Sequence, residues 1–232
     1  MRCAQQRSLS WASHSLIFLA LVLVIDWLRQ GLPVDHYVSD FFFKNGEWLW
    51  PKKDETLTFW LHDFIKNVFV FIGVACLTIS IASKYIDKLK PYRYMTLLVT
   101  LSLIITPAII SGIKAQTHIF CPSKLERYDG SFPDDYRKMD LGSIVLNKAR
   151  CFPAGHASPG FALFVLGMGA ATRRRRIAGY AVGTLAGTAL SLIQIGRGEH
   201  FLTHCIASAL IGLWVALMLT YAVNYARHRG WI

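Results

Sequence analysis

The apolar residues of this chain are gathered into six blocks that are separated by polar stretches. Most of these blocks approach the roughly 20 residues that an α-helix needs to cross a bilayer. The first block is followed by "RQGLPVDHY", which contains no small-residue cleavage site, so we interpret it as a retained anchor. We therefore predict an all-α fold, a six-transmembrane-helix bundle that forms a single integral membrane domain over 1–232. The blocks are 16–28, 59–83, 95–113, 160–171, 177–195 and 205–223.

Two of the polar stretches are long enough to have structure of their own. Residues 115–152, between the third and fourth blocks, contain prolines, an Asp-Gly pair and charges of both signs, which is typical of ordered turns. Residues 32–58 contain a cluster of Phe and Trp side chains that suits a segment lying along the lipid headgroups. We predict an extended outer loop between helices 3 and 4, and an interfacial segment after helix 1.

The distribution of positive charge predicts the orientation of the helices. The 232-residue chain is 53% apolar and has a formal net charge of +11. With six crossings, both termini and the second and fourth loops lie on one side, and they carry twelve Lys and Arg residues against one acid, Asp87. Because cytoplasmic loops carry such an excess, both termini are predicted to be cytoplasmic. Topology accounts for the basic residues, so the expected partner is the membrane bilayer, with no nucleic acid.

Three outer helix ends carry polar side chains that a simple membrane anchor does not need. Lys114 closes the third block, His156 opens the fourth, and "QIGRGEHFLTH" lies between the fifth and sixth. Several imidazoles and cations on one membrane face predict a functional site. Next to His156, Gly155 allows close approach of the backbone, and Ser158 favours a helix N-terminus, which suits an anion. Taken by itself, this segment is better explained as a helix cap.

The residues at these helix ends are suited to phosphoryl transfer. One imidazole can attack phosphorus and form a covalent intermediate, while a second imidazole protonates the leaving oxygen. Arg197 offers a planar fork for phosphate oxygens, and Lys114 adds a second positive charge. A different interpretation takes His200 and His204, which are four residues apart, as a zinc-binding pair. The two cations argue against this interpretation, because they would repel a metal ion.

Two of the clusters resemble the first motifs, K-x6-R-P and P-S-G-H, of the type 2 phosphatidic acid phosphatase superfamily. "KAQTHIFCP" supplies the lysine, Lys114, and the proline of the first motif, but Cys121 stands at the arginine position. "PAGH" supplies the second motif and ends at His156, with Ala154 in place of the serine.

The third cluster resembles the family motif S-R-x5-H-x3-D. "QIGRGEHFLTH" places His200 at the histidine position, while Gln194 stands at the arginine position and His204 at the aspartate position. Losing two motif arginines removes charge that binds phosphate, and Arg197, one helical turn from Gln194, or Lys124 can replace it. The resemblance covers residues 114–204, and the six-helix outline extends it over most of the chain.

The resemblance implies a metal-independent lipid phosphatase, without a cofactor, that works through a phosphohistidine intermediate. His200 would be the nucleophile, His156 the general acid and His204 the residue that orients the nucleophile. Bacterial members of the family act on lipid A phosphates, undecaprenyl diphosphate or phosphatidylglycerol phosphate, which implies the inner membrane and a site that faces the periplasm. The residues expected to bind phosphate are Lys114, Arg197, Gly155, Ala154, Lys124 and Gln194.

Three other functions stay open at this stage. Some relatives transfer phosphate between lipids instead of to water, and the motifs do not separate the two reactions. A metal-binding or haem-binding membrane protein would explain the histidines but not Lys114, Arg197 or the P-x-G-H context. A transporter would gather its charges near the membrane midplane, whereas these charges lie at helix ends.

Two of the five cysteines, Cys121 and Cys151, fall in the long outer loop. If that loop faces an oxidising compartment, the two residues can form a disulfide. The alternative is a pair of free thiols, with Cys121 simply filling the position of the motif arginine.

Overall fold

The computed structural model describes residues 11–51, 54–135 and 149–230, and this part of the chain is mostly helical. A membrane leaves backbone N–H and C=O groups without water as a partner, so apolar runs form continuous helices. In chain order the described helices are α1 (Trp11–Arg29), α2 (Pro33–Phe42), α3 (Glu55–Thr58), α4 (Ile65–Ala82), α5 (Arg93–Gln116), α6 (Ser158–Ala162), α7 (Phe164–Met168), α8 (Arg173–Gly196) and α9 (Leu202–His228).

Four of these helices, α4, α5, α8 and α9, are long and apolar enough to cross a membrane. They confirm the second, third, fifth and sixth predicted blocks as candidate spans. The first block forms most of α1, which together with α2 makes a pair bent by 60°. The bend falls at Gly31, whose φ of 79° suits glycine, and Pro33 then starts α2.

The fourth predicted block is not a single spanning helix. It forms α6 and α7, two short helices that meet at Leu163 and together cover Ser158–Met168. Length and composition therefore identify four spans, or five if the bent pair counts as one, and they do not confirm the predicted count of six. Pro159 lies in the first turn of α6, and α7 ends at Met168, directly before Gly169, a residue of low helix propensity.

The interfacial segment contains a small hairpin that the all-α prediction did not include. Strand β1 (Phe43–Lys44) pairs antiparallel with β2 (Glu47–Trp48). The two residues between them, Asn45 and Gly46, have φ values of 54° and 79°, which is the requirement of the commonest two-residue hairpin turn. A π-helical turn, Phe59–Phe64, then joins α3 to α4.

The outer loop after α5 is ordered where the structure describes it, and residues 136–148 lie outside the described part. Two 3-10 turns, Pro122–Lys124 and Glu126–Tyr128, follow α5. Tyr128 is buried and packs edge-on against Phe43, with the ring centroids 5.4 Å apart. On the rim, Arg127 pairs with Asp40 of α2 across 2.6 Å. The hairpin and the outer loop therefore pack together over the end of the bundle.

Glycines on one face of α8 allow α6 and α7 to approach its backbone. Gly179, Gly183 and Gly187 are spaced four residues apart, so they share a face, and all three are buried. A Cβ at Gly179 would lie 2.3 Å from the amide nitrogen of Gly167 in α7. Small residues of this kind let membrane helices pack backbone to backbone. In the same way, a Cβ at Gly160 of α6 would lie 2.6 Å from the amide nitrogen of Gly187, and this contact holds α6, which begins two residues after His156.

We expect the substitution Gly179→Ala to destabilise the protein by about 1–3 kcal/mol, because the added methyl group overlaps backbone atoms that cannot rotate away. The matched control is Gly112→Ala in α5, where an added Cβ meets no atom within 4 Å. That substitution should be neutral or stabilising by roughly 0.5–1 kcal/mol through helix propensity. Thermal unfolding in detergent compares the two variants, and equal effects would contradict the close packing of α7 on α8.

Candidate active site

Three chain segments meet at the end of the bundle where α5 ends and α9 begins. They are the end of α5 with Lys114, the segment 149–157 before α6, and the segment 197–201 between α8 and α9. The amide of Ala154 donates to the carbonyl oxygen of His204 at 3.1 Å, and the Ser208 hydroxyl donates to the Ala154 carbonyl oxygen at 2.8 Å. The amide of Ser123 donates to the carbonyl oxygen of Gly198 at 2.9 Å. These bonds fix the segments relative to one another.

The three histidines that the sequence selects lie side by side. The ring centroids of His156 and His200 are 6.0 Å apart, and those of His200 and His204 are 5.8 Å apart. His200 and His204 are each only 1% exposed, whereas His156 is exposed. One imidazole can therefore exchange protons with its surroundings, while the other two are held inside the protein.

His200 lies against Cys151 and is buried. Its Nδ1 is 3.6 Å from Cys151 Sγ. Burial lowers the pKa of His200 well below its usual value, and the electrostatic effects of His204, Lys114 and His156 lower it further, while the Cys151 backbone has a smaller opposing effect. A neutral imidazole carries a proton on only one of its two ring nitrogens. When Nδ1 of His200 is protonated, Nε2 is therefore unprotonated at neutral pH.

Cys151 is itself held by a disulfide to Cys121, with the two Cα atoms 5.2 Å apart. Residues 119 and 151 are also paired through the main chain, because the Cys151 amide donates to the Ile119 carbonyl oxygen at 2.9 Å. The cysteine that stands at the motif arginine position is therefore covalently joined to the residue beside His200. The bond closes a loop with a sequence separation of 30 residues.

The predicted phosphate-binding residues are placed at different distances from the histidines. Lys114 Nζ lies 3.8 Å from the position that a Cβ at Gly155 would occupy, so it adjoins the P-x-G-H segment. Gln194 and Arg197 are buried, at 2% and 5% exposure, on the last turn of α8 and just after it. Lys124 is exposed on the 3-10 turn of the outer loop.

Part of the main chain of the P-x-G-H segment is already hydrogen-bonded to other groups of the protein. The Ala154 amide is used by His204, and the side chain of Ala154 is fully buried. The Gly155 carbonyl oxygen accepts from the Ser158 hydroxyl at 2.6 Å. Gly155, which is half-buried and adjoins Lys114, is thus the residue of this segment that offers backbone to an anion.

A cavity of about 550 Å³ begins at His156 and continues along the sides of α4 and α5. Its polar end contains Gly155, His156 and Gln194, and the remainder is mostly apolar. Lys66, near the start of α4, also lines it and was missed by the sequence analysis. The available signal was a charged residue inside an apolar block, which is by itself grounds for suspecting a functional site.

A second residue that sequence analysis missed is Asp35 of α2. Its carboxylate is 3% exposed and accepts hydrogen bonds from the Thr203 amide at 2.9 Å and the Thr203 hydroxyl at 2.7 Å. It therefore caps the N-terminus of α9, where a negative charge is favourable. His204 is the next residue along α9, so the carboxylate positions the helix turn that holds it.

A metal ion would find an incomplete set of ligands here. Among the described residues, Cys151, His200 and His204 offer ligand atoms that all lie within 4.8 Å of one another. Zinc is bound by thiolate sulfur, and the sulfur of Cys151 is tied up in the disulfide. Two histidines remain, with the Lys114 ammonium close enough to affect the protonation of His200. The arrangement fits an oxyanion better than a cation.

Comparison with known proteins agrees with this geometry. The chain is 26% identical over 170 residues to the lipid A 4'-phosphatase of Francisella tularensis subsp. novicida (strain U112), an alignment that covers 72% of this chain and 75% of that protein. No solved structure gives a significant match. The PAP2 superfamily matches residues 95–228, more than half of the chain and the stretch that contains all three clusters. The chain belongs to the PAP2 superfamily, the type 2 phosphatidic acid phosphatases.

Proposed function

We propose that this protein is a membrane-bound lipid phosphatase that removes a phosphate group from a lipid of the lipid A type. The observation that carries the proposal is the pairing of His156 and His200, with ring centroids 6.0 Å apart, where His156 lines the polar end of a mostly apolar cavity. Membership of the PAP2 superfamily and the similarity to a lipid A 4'-phosphatase support it. Undecaprenyl diphosphate and phosphatidylglycerol phosphate are the other substrates to compare.

In the first step of the proposed reaction, the unprotonated ring nitrogen of His200 attacks the phosphorus atom. A P–N bond forms while the bond from phosphorus to the lipid oxygen breaks, and protonated His156 gives its proton to that oxygen. In the second step, now-neutral His156 takes a proton from water, and the resulting oxygen attacks phosphorus and displaces His200. Both histidines are then restored, and phosphate and the dephosphorylated lipid leave.

The phosphate oxygens need positive partners, because the charge on them increases toward the transition state. Lys114 beside Gly155 supplies one, and Arg197 with Gln194 at the end of α8 replaces the family arginine. Lys66 on the cavity wall adds another cation near the entry. We assign Ala154 a positioning role, because its amide is bonded to His204, and Lys124 a role at the exposed rim.

The nucleophile also needs a partner that holds its ring, a role that the motif aspartate has in the family pattern. The contact that supports such a role here is that of Cys151, whose Sγ lies 3.6 Å from His200 Nδ1. This neighbour restricts the ring without adding a negative charge. His204, 5.8 Å away between ring centroids, then acts on the same ring through its electrostatic effect and its packing.

The proposed placement in the membrane has six crossings, in which α1 and the short pair α6–α7 each count as one. Both termini are then cytoplasmic, since the twelve basic residues of that side follow the positive-inside rule. The histidines face the periplasm of a bacterial inner membrane. The apolar cavity beside α4 and α5 gives lipid chains access to them from the bilayer.

Purified protein should release phosphate from lipid A, and do so with full activity in EDTA, because lysine and histidine side chains perform the steps above. Vanadate, which resembles the phosphorus centre in the transition state, should inhibit the enzyme.

His200→Ala should lower the rate by more than the roughly 10²–10⁴-fold typical of one acid–base group. Undecaprenyl diphosphate and phosphatidylglycerol phosphate serve as comparison substrates. Loss of activity in EDTA with recovery in zinc would overturn the metal-free mechanism, and phosphate appearing only on a second lipid would identify a phosphotransferase.

The pH profile of kcat/KM reports the state of His200 in the free enzyme. Its neutral form is active, so activity is present above its pKa and is lost as the pH falls through that pKa. Because burial lowers the pKa, the acid limb should lie below about 6.5, the ordinary value for histidine. His204→Asp should move this limb upward, since a nearby carboxylate favours imidazolium. His204→Asn is the uncharged control of the same size, and equal limbs in the two variants would contradict the coupling of the two rings.

Breaking the Cys121–Cys151 disulfide should lower kcat, because it frees the residue whose sulfur lies 3.6 Å from His200 Nδ1. A loss on the order of 10²-fold corresponds to a shift of about 1 Å at a catalytic group. Turnover is measured with and without dithiothreitol, after confirming by alkylation that the two thiols are released. The double variant Cys121→Ala/Cys151→Ala, whose activity should not respond to reductant, is the control. Unchanged turnover in the fully reduced protein would rule out a positioning role for the bond.

A further inference from the structure

A second cavity, of about 480 Å³, lies at the end of the bundle away from the histidines. It is formed where the end of α4, the start of α5 and the end of α9 meet. Arg93 and Lys114 stand at opposite ends of α5, so the two sites are about 30 Å apart at 1.5 Å per residue. The cavity is lined by Ser83, Lys84, Lys90, Arg93, Tyr94, Leu97, Val223 and Arg227.

Positive charge dominates this cavity. Four of its lining residues are Lys or Arg, and they come from three separate elements of the chain. Lys90 is paired with Asp87 across 2.6 Å, which leaves Lys84, Arg93 and Arg227 as an excess of positive charge. Three cations converging from α5, α9 and the segment after α4 repel one another, so an anion between them is stabilised.

One of these cations is held in place. The guanidinium of Arg227 lies over the ring of Tyr94, 4.7 Å from its centroid. Stacking of this kind restricts a long side chain while leaving its N–H groups available at the edge of the plane. An ordered guanidinium loses less conformational entropy on binding an oxyanion, and it can donate two parallel hydrogen bonds to phosphate oxygens.

The polarity of the wall changes with depth into the bundle. Ser83 and the basic residues come from the ends of helices, whereas Leu97 lies one turn into α5 and Val223 one turn before Arg227 in α9. A charged rim followed by an apolar wall is complementary to a phospholipid, whose phosphate lies at the membrane surface and whose acyl chains lie further in. Basic cavities between membrane helices bind lipid headgroups in this way.

We propose that this cavity binds the phosphate headgroup of an anionic phospholipid from the leaflet opposite the histidines. The ligand chemistry is a phosphodiester with attached acyl chains, and inorganic phosphate shares the oxyanion but not the chains. Because none of these residues takes part in the reaction proposed above, the site is independent of the proposed function.

The test uses the full chain in neutral detergent, to which phosphatidylglycerol, phosphatidylcholine or inorganic phosphate is added. Native mass spectrometry counts retained lipids, and thermal unfolding gives the affinity. Phosphatidylglycerol should bind and raise Tm, while phosphatidylcholine should not. Arg93→Gln/Arg227→Gln should weaken phosphatidylglycerol binding tenfold or more, on the order expected for losing two charge-assisted contacts. Arg93→Lys/Arg227→Lys should fold as the wild type and keep part of the affinity.

The control is Arg173→Gln/Arg175→Gln, which removes the same charge from exposed positions at the start of α8. It should bind phosphatidylglycerol as the wild type does. An equal loss of affinity in this control would overturn the proposal, because it would show attraction to the whole basic surface. Equal stabilisation by inorganic phosphate and phosphatidylglycerol would overturn the assignment to a lipid. The Tm of each variant without ligand separates weakened binding from weakened folding.

Discussion

The geometry of the outer site depends on the main-chain bond from Ala154 to His204. The P-x-G-H segment and the third cluster are far apart along the chain, and this bond joins the first directly to the opening turn of α9. The Ser208 hydroxyl reinforces it from the next turn, and Asp35 caps the same helix from α2. Buried polar groups of this kind hold a unique arrangement because leaving any of them without a partner is costly. The His156 and His200 rings can face one another because this contact sets the distance between their segments.

The site residues differ from the family pattern in their charge balance. Cysteine and glutamine replace two arginines, and His204 replaces the aspartate. These exchanges remove charges of both signs from the vicinity of His200. A buried carboxylate without its cationic partners would be expensive, so the loss of the arginines and the loss of the aspartate are compatible with each other. Burial lowers the pKa of His200, and the disulfide-bonded Cys151 is its neighbour at 3.6 Å, so in the proposed mechanism these two features replace the motif aspartate.

The two ends of the bundle face a lipid in different ways. At one end, an apolar cavity beside α4 and α5 reaches His156, where in the proposed reaction a phosphate group meets groups that can break a bond. At the opposite end, a cavity rimmed by Lys and Arg contains cations without an imidazole among its lining residues. Both are proposed to hold a phosphate oxyanion, but only the first has a proposed nucleophile and proton donor next to it. The two proposed sites, one catalytic and one that only binds, therefore differ in the polar side chains that the helix ends carry.

The sequence by itself determined the membrane-spanning character of the chain and four of its candidate spans, and it selected the three histidines around which the proposed site is drawn. These are local properties, since a run of apolar residues or a short motif keeps its meaning wherever it lies in the fold. The Asn45-Gly46 hairpin was visible in the same local way, as an Asn-Gly turn, but was overlooked. The division of the fourth block into α6 and α7, and the meeting of Lys66 with His156 in one cavity, were decided by tertiary structure. The capping of α9 by Asp35 belongs to the same group. Each of these depends on side chains or backbones that are distant in sequence, and only the packing of helices on one another brings them within contact distance.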